Sequence, residues 1–188
     1  MIVASFDIST NTGVCVYDAQ PNKEPTRLHL ETWSVKRLER PIDRARVFAD
    51  HTMQFLREYQ PDLIIIEGYA TGSRNMSTAI IETSALIKFV LAANGYDWIE
   101  IPPKSLKVFT ADNGNVKKDV IIKQVYKLWG IDTDDDNQAD AVALCQMGLN
   151  LLGFDNVPSK HLRAWTELKK HDDYVRVTSK VLKNLMVN

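Results

Sequence analysis

The sequence predicts a mixed α/β fold: one five-stranded sheet, three antiparallel strands followed by parallel ones, with helices on both faces and a C-terminal helical extension. Three observations carry this. Three short apolar runs with tight polar connections open the chain, which suggests an antiparallel meander. Two later β-branched runs each follow a stretch of helical periodicity, as βαβ units require. Helical patterns then continue to the end without a further strand.

Each element has a local reason. Residues 2–8 (Ile-Val-Ala-Ser-Phe-Asp-Ile) read as the first strand, 12–17 as the second and 27–33, which alternates, as the third. Pro41 suits the first turn of a helix, and Ile42, Ala45, Phe48, Phe55 and Tyr59 then recur at helical spacing until Pro61. Leu63-Ile64-Ile65-Ile66 reads as a buried parallel strand. Residues 75–94 read as a helix stopped by Gly95, and Trp98–Ile101 as the last strand, ended by Pro102-Pro103. A helical turn at 105–110, a basic amphipathic helix at 117–129 and a helix at 138–152 follow. Residues 1–154 are therefore expected to form one α/β domain, and 155–188 a helical extension packed on it or on a dimer.

The bulk numbers exclude several classes. The 188 residues suffice for one domain with a core, and the net charge of -1 gives no global field for nucleic acid or membrane. Cys15 and Cys145 lie in apolar runs and form neither a disulfide framework nor a zinc site. No segment reaches the roughly 18 apolar residues of a membrane span, so no membrane partner is expected. The N-terminus lacks the pattern of a signal peptide, and an intracellular, cytoplasmic protein is the expectation.

Three acids stand out against this frame. Asp7 sits in an apolar strand, where a carboxylate is costly unless a metal ion, a metal-bound phosphate or a base neutralises it; the plainer alternative is an Asp that caps the turn at 9–13. Glu67 follows the apolar run 63–66, at the strand end where open α/β sheets bind ligands, unless it merely emerges into solvent. Asp140 lies past the first turn of its helix among Ala139, Ala141, Val142 and Ala143, and shares a face with Asp136 and Asn137. The helix dipole accounts for Asp134, Asp135 and Asp136 but poorly for Asp140. Such acids, converging from strand and helix ends, make an all-oxygen site for magnesium or manganese.

The stretches Phe6–Gly13, Ile64–Tyr69, Pro103–Lys107, Gly114–Lys118 and Gln138–Ala141 together resemble, in order and spacing, the RuvC family of Holliday junction resolvases within the RNase H-like superfamily. The compact form looks more like a bacteriophage enzyme than a bacterial housekeeping one. The resemblance covers roughly residues 1–152. It implies an RNase H-like sheet and a homodimeric, metal-dependent endonuclease acting on branched DNA, four-way junctions above all. Two Mg2+ ions per site, with Mn2+ able to substitute, would support hydrolysis to 5′-phosphate and 3′-hydroxyl ends. By position, Asp7, Glu67 and Asp140 become metal ligands. Asn137 stands where the family commonly has an acid or His, so either Asp136 or Asn137 completes the set.

Lys107 and Lys118 fall where the family carries lysines near the scissile phosphate. Tyr69, Ser73 and Arg74, in the loop after Glu67, and Lys104, Lys107, Lys117 and Lys118 are the expected DNA contacts, although a surface lysine or a packed tyrosine is the plainer reading of several. The helix at 75–94 matches the family's dimer helix. Other readings are an RNase H-like nuclease for flaps or RNA–DNA hybrids and a catalytically weak DNA-binding relative. The turn at 7–13 also resembles the first phosphate turn of actin-like ATPases and kinases, but those need a second such domain, usually well over ~300 residues.

Overall fold

Alternation along the first strand sends Val3, Ser5 and Asp7 to one face of the sheet and Ala4 and Phe6 to the other, and two separate cores form on that division. The computed structural model describes residues 1–36, 40–69 and 77–187. Strands β1 (Ile2–Asp7), β2 (Asn11–Asp18), β3 (Thr26–Ser34), β4 (Leu63–Glu67) and β5 (Ile99–Ile101) form one sheet in the order β3-β2-β1-β4-β5. β1 and β2, and β2 and β3, are antiparallel; β4 lies parallel to β1, and β5 parallel to β4. The predicted mixed sheet with helices on both faces is the one observed. Asp7 thus ends the central strand, and the register pairing Phe6 with Ile66 sets Glu67 beside it.

Helices α1 (Pro41–Tyr59) and α2 (Thr78–Ala93) cover one face. Pro41 starts α1 without the loss of an amide bond, and Gln60 ends it in a left-handed conformation ahead of Pro61. The core beneath is aromatic: Phe6 meets Trp33 and Phe55 edge-on at 5.8 and 5.1 Å. Helices α3 (Pro103–Ala111), α4 (Lys118–Trp129) and α5 (Asp136–Leu151) cover the opposite face.

Helices α3 and α5 each start two residues earlier than predicted. α3 is a nine-residue helix rather than a turn at 105–110, because Pro103 occupies its first turn instead of merely ending β5. α5 begins at Asp136, not 138, because the Asp135 side chain accepts from the amides of Asn137 and Gln138. After α5, a 3-10 turn (Ser159–Leu162), α6 (Arg163–Leu168) and α7 (Asp172–Val187) follow, and Ala164, Leu168 and Val181 are buried in the α5-side core. Among the described residues no helix is long and apolar enough to cross a membrane.

Candidate active site

Asp7 is 6% exposed, at the C-terminal end of the central strand. Glu67 emerges from the parallel neighbour onto the same face. The third acid arrives on α5, and close approach of that helix brings it near. Gly13, paired with Asp7 across β1 and β2, lies against the first turns of α5; a Cβ on it would stand 2.0 Å from the Asn137 carbonyl oxygen. A Cβ on Gly148 would likewise meet Val3 at 2.8 Å and Ile65 at 3.0 Å. Gly13, Gly148 and Ala141 therefore let α5 lie almost on the sheet, and the Ser5 hydroxyl ties it there by donating to the Ala141 carbonyl at 2.6 Å.

The result is a cavity of about 330 Å³ lined by Asp7, Glu67, Asp140, Asn137, Lys107 and Lys118, with Ser9 and Tyr69 at its wall. A larger cavity of about 440 Å³ between β5 and α7 is lined by Trp98, Ile99, Tyr174 and Val177 and does not touch this acid group.

Burial, followed by the Glu67 charge, holds the Asp7 carboxyl well above the usual carboxylate range. Burial is also the main cause that raises Glu67 to about 7, with the Asp140 charge adding to it. Asp140 is pushed to about 7 by burial and then by the charge of Asp7, while Lys118 and Lys107 pull the other way. The Asp7 and Glu67 carboxyls are close neighbours, so neither charge is independent of the other. Two lysines do not neutralise this group. A hard divalent cation suits these all-oxygen donors. Among the described residues no three histidine, cysteine, aspartate or glutamate side chains stand close enough, as placed, to hold a metal ion.

The two candidates for a fourth ligand are placed differently. Asn137 lines the cavity, its amide oxygen accepting from Ser9 at 3.3 Å and its amide nitrogen donating to Asp135 at 3.0 Å. Asp136 points along the helix to Lys118 and pairs with it. That bond is the main cause that raises the lysine's pKa. Asp135, the acid before them, is spent on the helix cap and on Thr32, whose hydroxyl donates to it at 2.6 Å.

Among the expected DNA contacts, Lys107 and Lys118 reach the cavity, and Tyr69 borders it with the Lys88 ammonium 4.6 Å from its ring centre. Lys104 and Lys117 are exposed and line no part of it. Ser73 and Arg74 lie outside the described residues. Sequence reasoning assigned no role to Ser9, Lys88 or Gly13. Ser9 and Gly13 lie inside the turn that carries the family resemblance, and that proximity to Asp7 is the one signal that singles them out. Lys88 is brought to Tyr69 only by the fold.

No family model matches the chain. It is 27% identical over 112 residues to the crossover junction endodeoxyribonuclease RuvC of Synechococcus sp. (strain CC9311), a match spanning 58% of this chain and 68% of that protein. It is 33% identical over 93 residues to the RuvC of Brachyspira hyodysenteriae (strain ATCC 49526 / WA1), 48% of this chain and 58% of that protein. The Thermus thermophilus RuvC structure superposes with a TM-score of 0.64 at 19% identity, covering 79% of this chain and 97% of that one. T. thermophilus RuvC in complex with Holliday junction substrate gives 0.65 at 18% identity, over 77% of this chain and 90% of that one. The fold is that of the RuvC structures, and the chain is similar in sequence to RuvC crossover junction endodeoxyribonucleases.

Proposed function

We propose that the chain is a metal-dependent, structure-selective endonuclease that resolves four-way junctions and related branched DNA inside the cell. One observation carries this reading: Asp7, Glu67 and Asp140 meet at one cavity with Lys107 and Lys118, at the end of the sheet's central strands. The RuvC relatives support it.

Asp7, Glu67 and Asp140 would hold Mg2+, or Mn2+ in its place, as two ions with Asp7 shared between them. Asn137, at the cavity wall, or Asp136, after release from Lys118, would complete the set. When bound, such ions make water nucleophilic near neutral pH and steady the leaving oxygen. Lys107 and Lys118 add positive charge where a phosphate gains negative charge. Ser9 already donates to Asn11 at 2.7 Å and to Asn137, and no histidine or cysteine lines the cavity among the described residues. Direct attack by water is therefore assigned, leaving 5′-phosphate and 3′-hydroxyl ends.

A second copy of this chain is the partner assigned to α2. That helix exposes Ile81 (44%) and Phe89 (67%) on one face with Ala85 between them. Two copies would present two sites to the two strands of a junction. Replacing Phe89→Glu should shift the sedimenting species from dimer to monomer; an unchanged monomer in the wild type removes this assignment.

The decisive assay is cleavage of a synthetic four-way junction, a flap, an RNA–DNA hybrid and plain duplex with Mg2+ at stated salt. Junction cleavage should fall about 1,000-fold or more in Asp7→Asn and in Asp140→Asn. Unchanged cleavage in both removes the site, and equal cutting of plain duplex removes the structure selectivity. The pairing of Asp136 with Lys118 favours one second reading, a weakly catalytic junction-binding protein. Tight junction binding without cleavage at any Mg2+ or Mn2+ concentration would establish it.

A further inference from the structure

Lys107 and Lys118 come from different helices, and the segment between them has to be held for both to face one cavity. The C-terminus of α3 supplies the weak point. The last carbonyls of a helix have no partner within it, and Asp112 ends α3 in a left-handed conformation, φ 55°, ahead of the turn to α4. Residues after Asn156 supply the missing partners.

The ring of His161, 4% exposed, donates from Nδ1 to the Phe109 carbonyl at 2.7 Å. Arg163 donates to the Asp112 carboxylate at 2.8 Å and also to the Asp112 carbonyl, so one guanidinium holds both ends of that residue. Lys160 stands 3.4 Å from the other carboxylate oxygen. The cationic Lys160 and Arg163 at the negative end of α3 also suit its dipole.

These side chains are themselves anchored. Trp165 packs edge-on against Phe109 at 5.9 Å and donates to Asn150 on α5 at 2.7 Å. Asn156 donates to the Gln146 carbonyl at 2.8 Å and accepts from Asn150 at 3.2 Å. The grip on α3 is therefore referred back to α5, the helix that carries Asp140.

We propose that Lys160, His161 and Arg163 are positioning residues that cap α3 from outside and so hold Lys107 and Lys118 in register with the acids on α5. The idea rests on the nuclease reading for its catalytic consequence, but the clamp itself is testable without it. Displacement of a charged group by about 1 Å is enough to cost up to about 100-fold in rate.

The experiment uses the full chain, with Arg163→Ala, the double variant Lys160→Ala/Arg163→Ala, and Arg163→Lys. These side chains are largely exposed, 68% for Lys160 and 57% for Arg163, so the variants should fold; His161→Ala, in the core, is avoided. The first readout is amide hydrogen exchange. The double variant should exchange about 10-fold faster at 112–118, with the amides of β1 and β4 unchanged. The second is single-turnover cleavage of a four-way junction at saturating enzyme, expected to fall about 10-fold with junction Kd within about 2-fold. Arg163→Lys should recover most of the loss. Unchanged exchange at 112–118 overturns the clamp. Loss of binding rather than rate also overturns it, since Arg163 would then be a DNA contact. If the wild type cleaves no junction, the nuclease reading falls while exchange still decides the clamp.

Discussion

The two faces of the sheet differ in how closely their helices approach the strands. On the α1–α2 side Phe6, Trp33, Phe48 and Phe55 fill the space with large rings. On the α5 side Ile65, Phe109 and Met147 also fill the core, but Gly13, Gly148 and Ala141 remove volume where the helix crosses the strands, and Ser5, Asp7 and Glu67 point inward. Aromatic filling buries apolar area without needing a close helix, and it stabilises through burial and edge-on ring contacts. Small residues contribute less burial but allow backbone contact. Only backbone contact carries a helical carboxylate to two strand-borne ones. Both faces hold the fold, and the close helix approach on the α5 face brings the acids together.

That contrast can be broken most severely at Gly13. A methyl group there would stand 2.0 Å from backbone rather than from a movable side chain, so α5 must shift. Gly13→Ala should cost on the order of 3 kcal/mol in urea unfolding and also lower junction cleavage, because Asp140 moves with the helix. Retained stability and activity together would show that α5 is not held by this contact.

A smaller effect is expected from pH. Glu67 and Asp140 stand near 7 when folded, against ordinary values of 4.5 and 3.8. Between those limits the folded chain binds more protons than the unfolded one, so the acids favour folding at low pH and lose that advantage as pH rises towards 7. Asp140→Asn removes one titrating group. Without metal, the variant should gain on the wild type by on the order of 2 kcal/mol between pH 5 and 8, allowing for solvent access. Saturating Mg2+ should reverse the order at pH 8, because the ionised wild type binds it. Thermal unfolding across that range measures both, and a pH-independent difference would mean that the acids are not a high-affinity proton site.

The smallest effect sharpens the other side of the comparison. Phe55→Leu, in the aromatic core, should cost about 1 kcal/mol of stability and leave the cleavage rate of the folded protein within about 2-fold. A large loss of rate would mean that the two faces are not independent.

The acids were legible because each violates its local pattern: Asp7 in an apolar strand, Glu67 at the end of one, Asp140 past a helix's first turn. The lysines were legible only through the family resemblance, and the fold divides them, bringing Lys107 and Lys118 to the cavity and leaving Lys104 and Lys117 outside it. α3 was underestimated because Pro102-Pro103 ends a strand as readily as it starts a helix. The neighbours at Asp135, Asp136 and Asn137 differ by one residue each, and each step turns a helical side chain by about 100°. Their separate duties as cap, lysine partner and cavity wall follow from where the helix starts, which the cap on Asp135 sets.

The succession of elements, the mixed sheet and the three acids are written in short-range patterns, since periodicity and the cost of burying charge act residue by residue. The closeness of α5 to the sheet, the choice of Asn137 over Asp136 at the cavity and the capping of α3 by residues fifty positions later needed the tertiary structure. Those depend on which backbones touch, and no local pattern records the partner of a glycine or of a helix's last carbonyl.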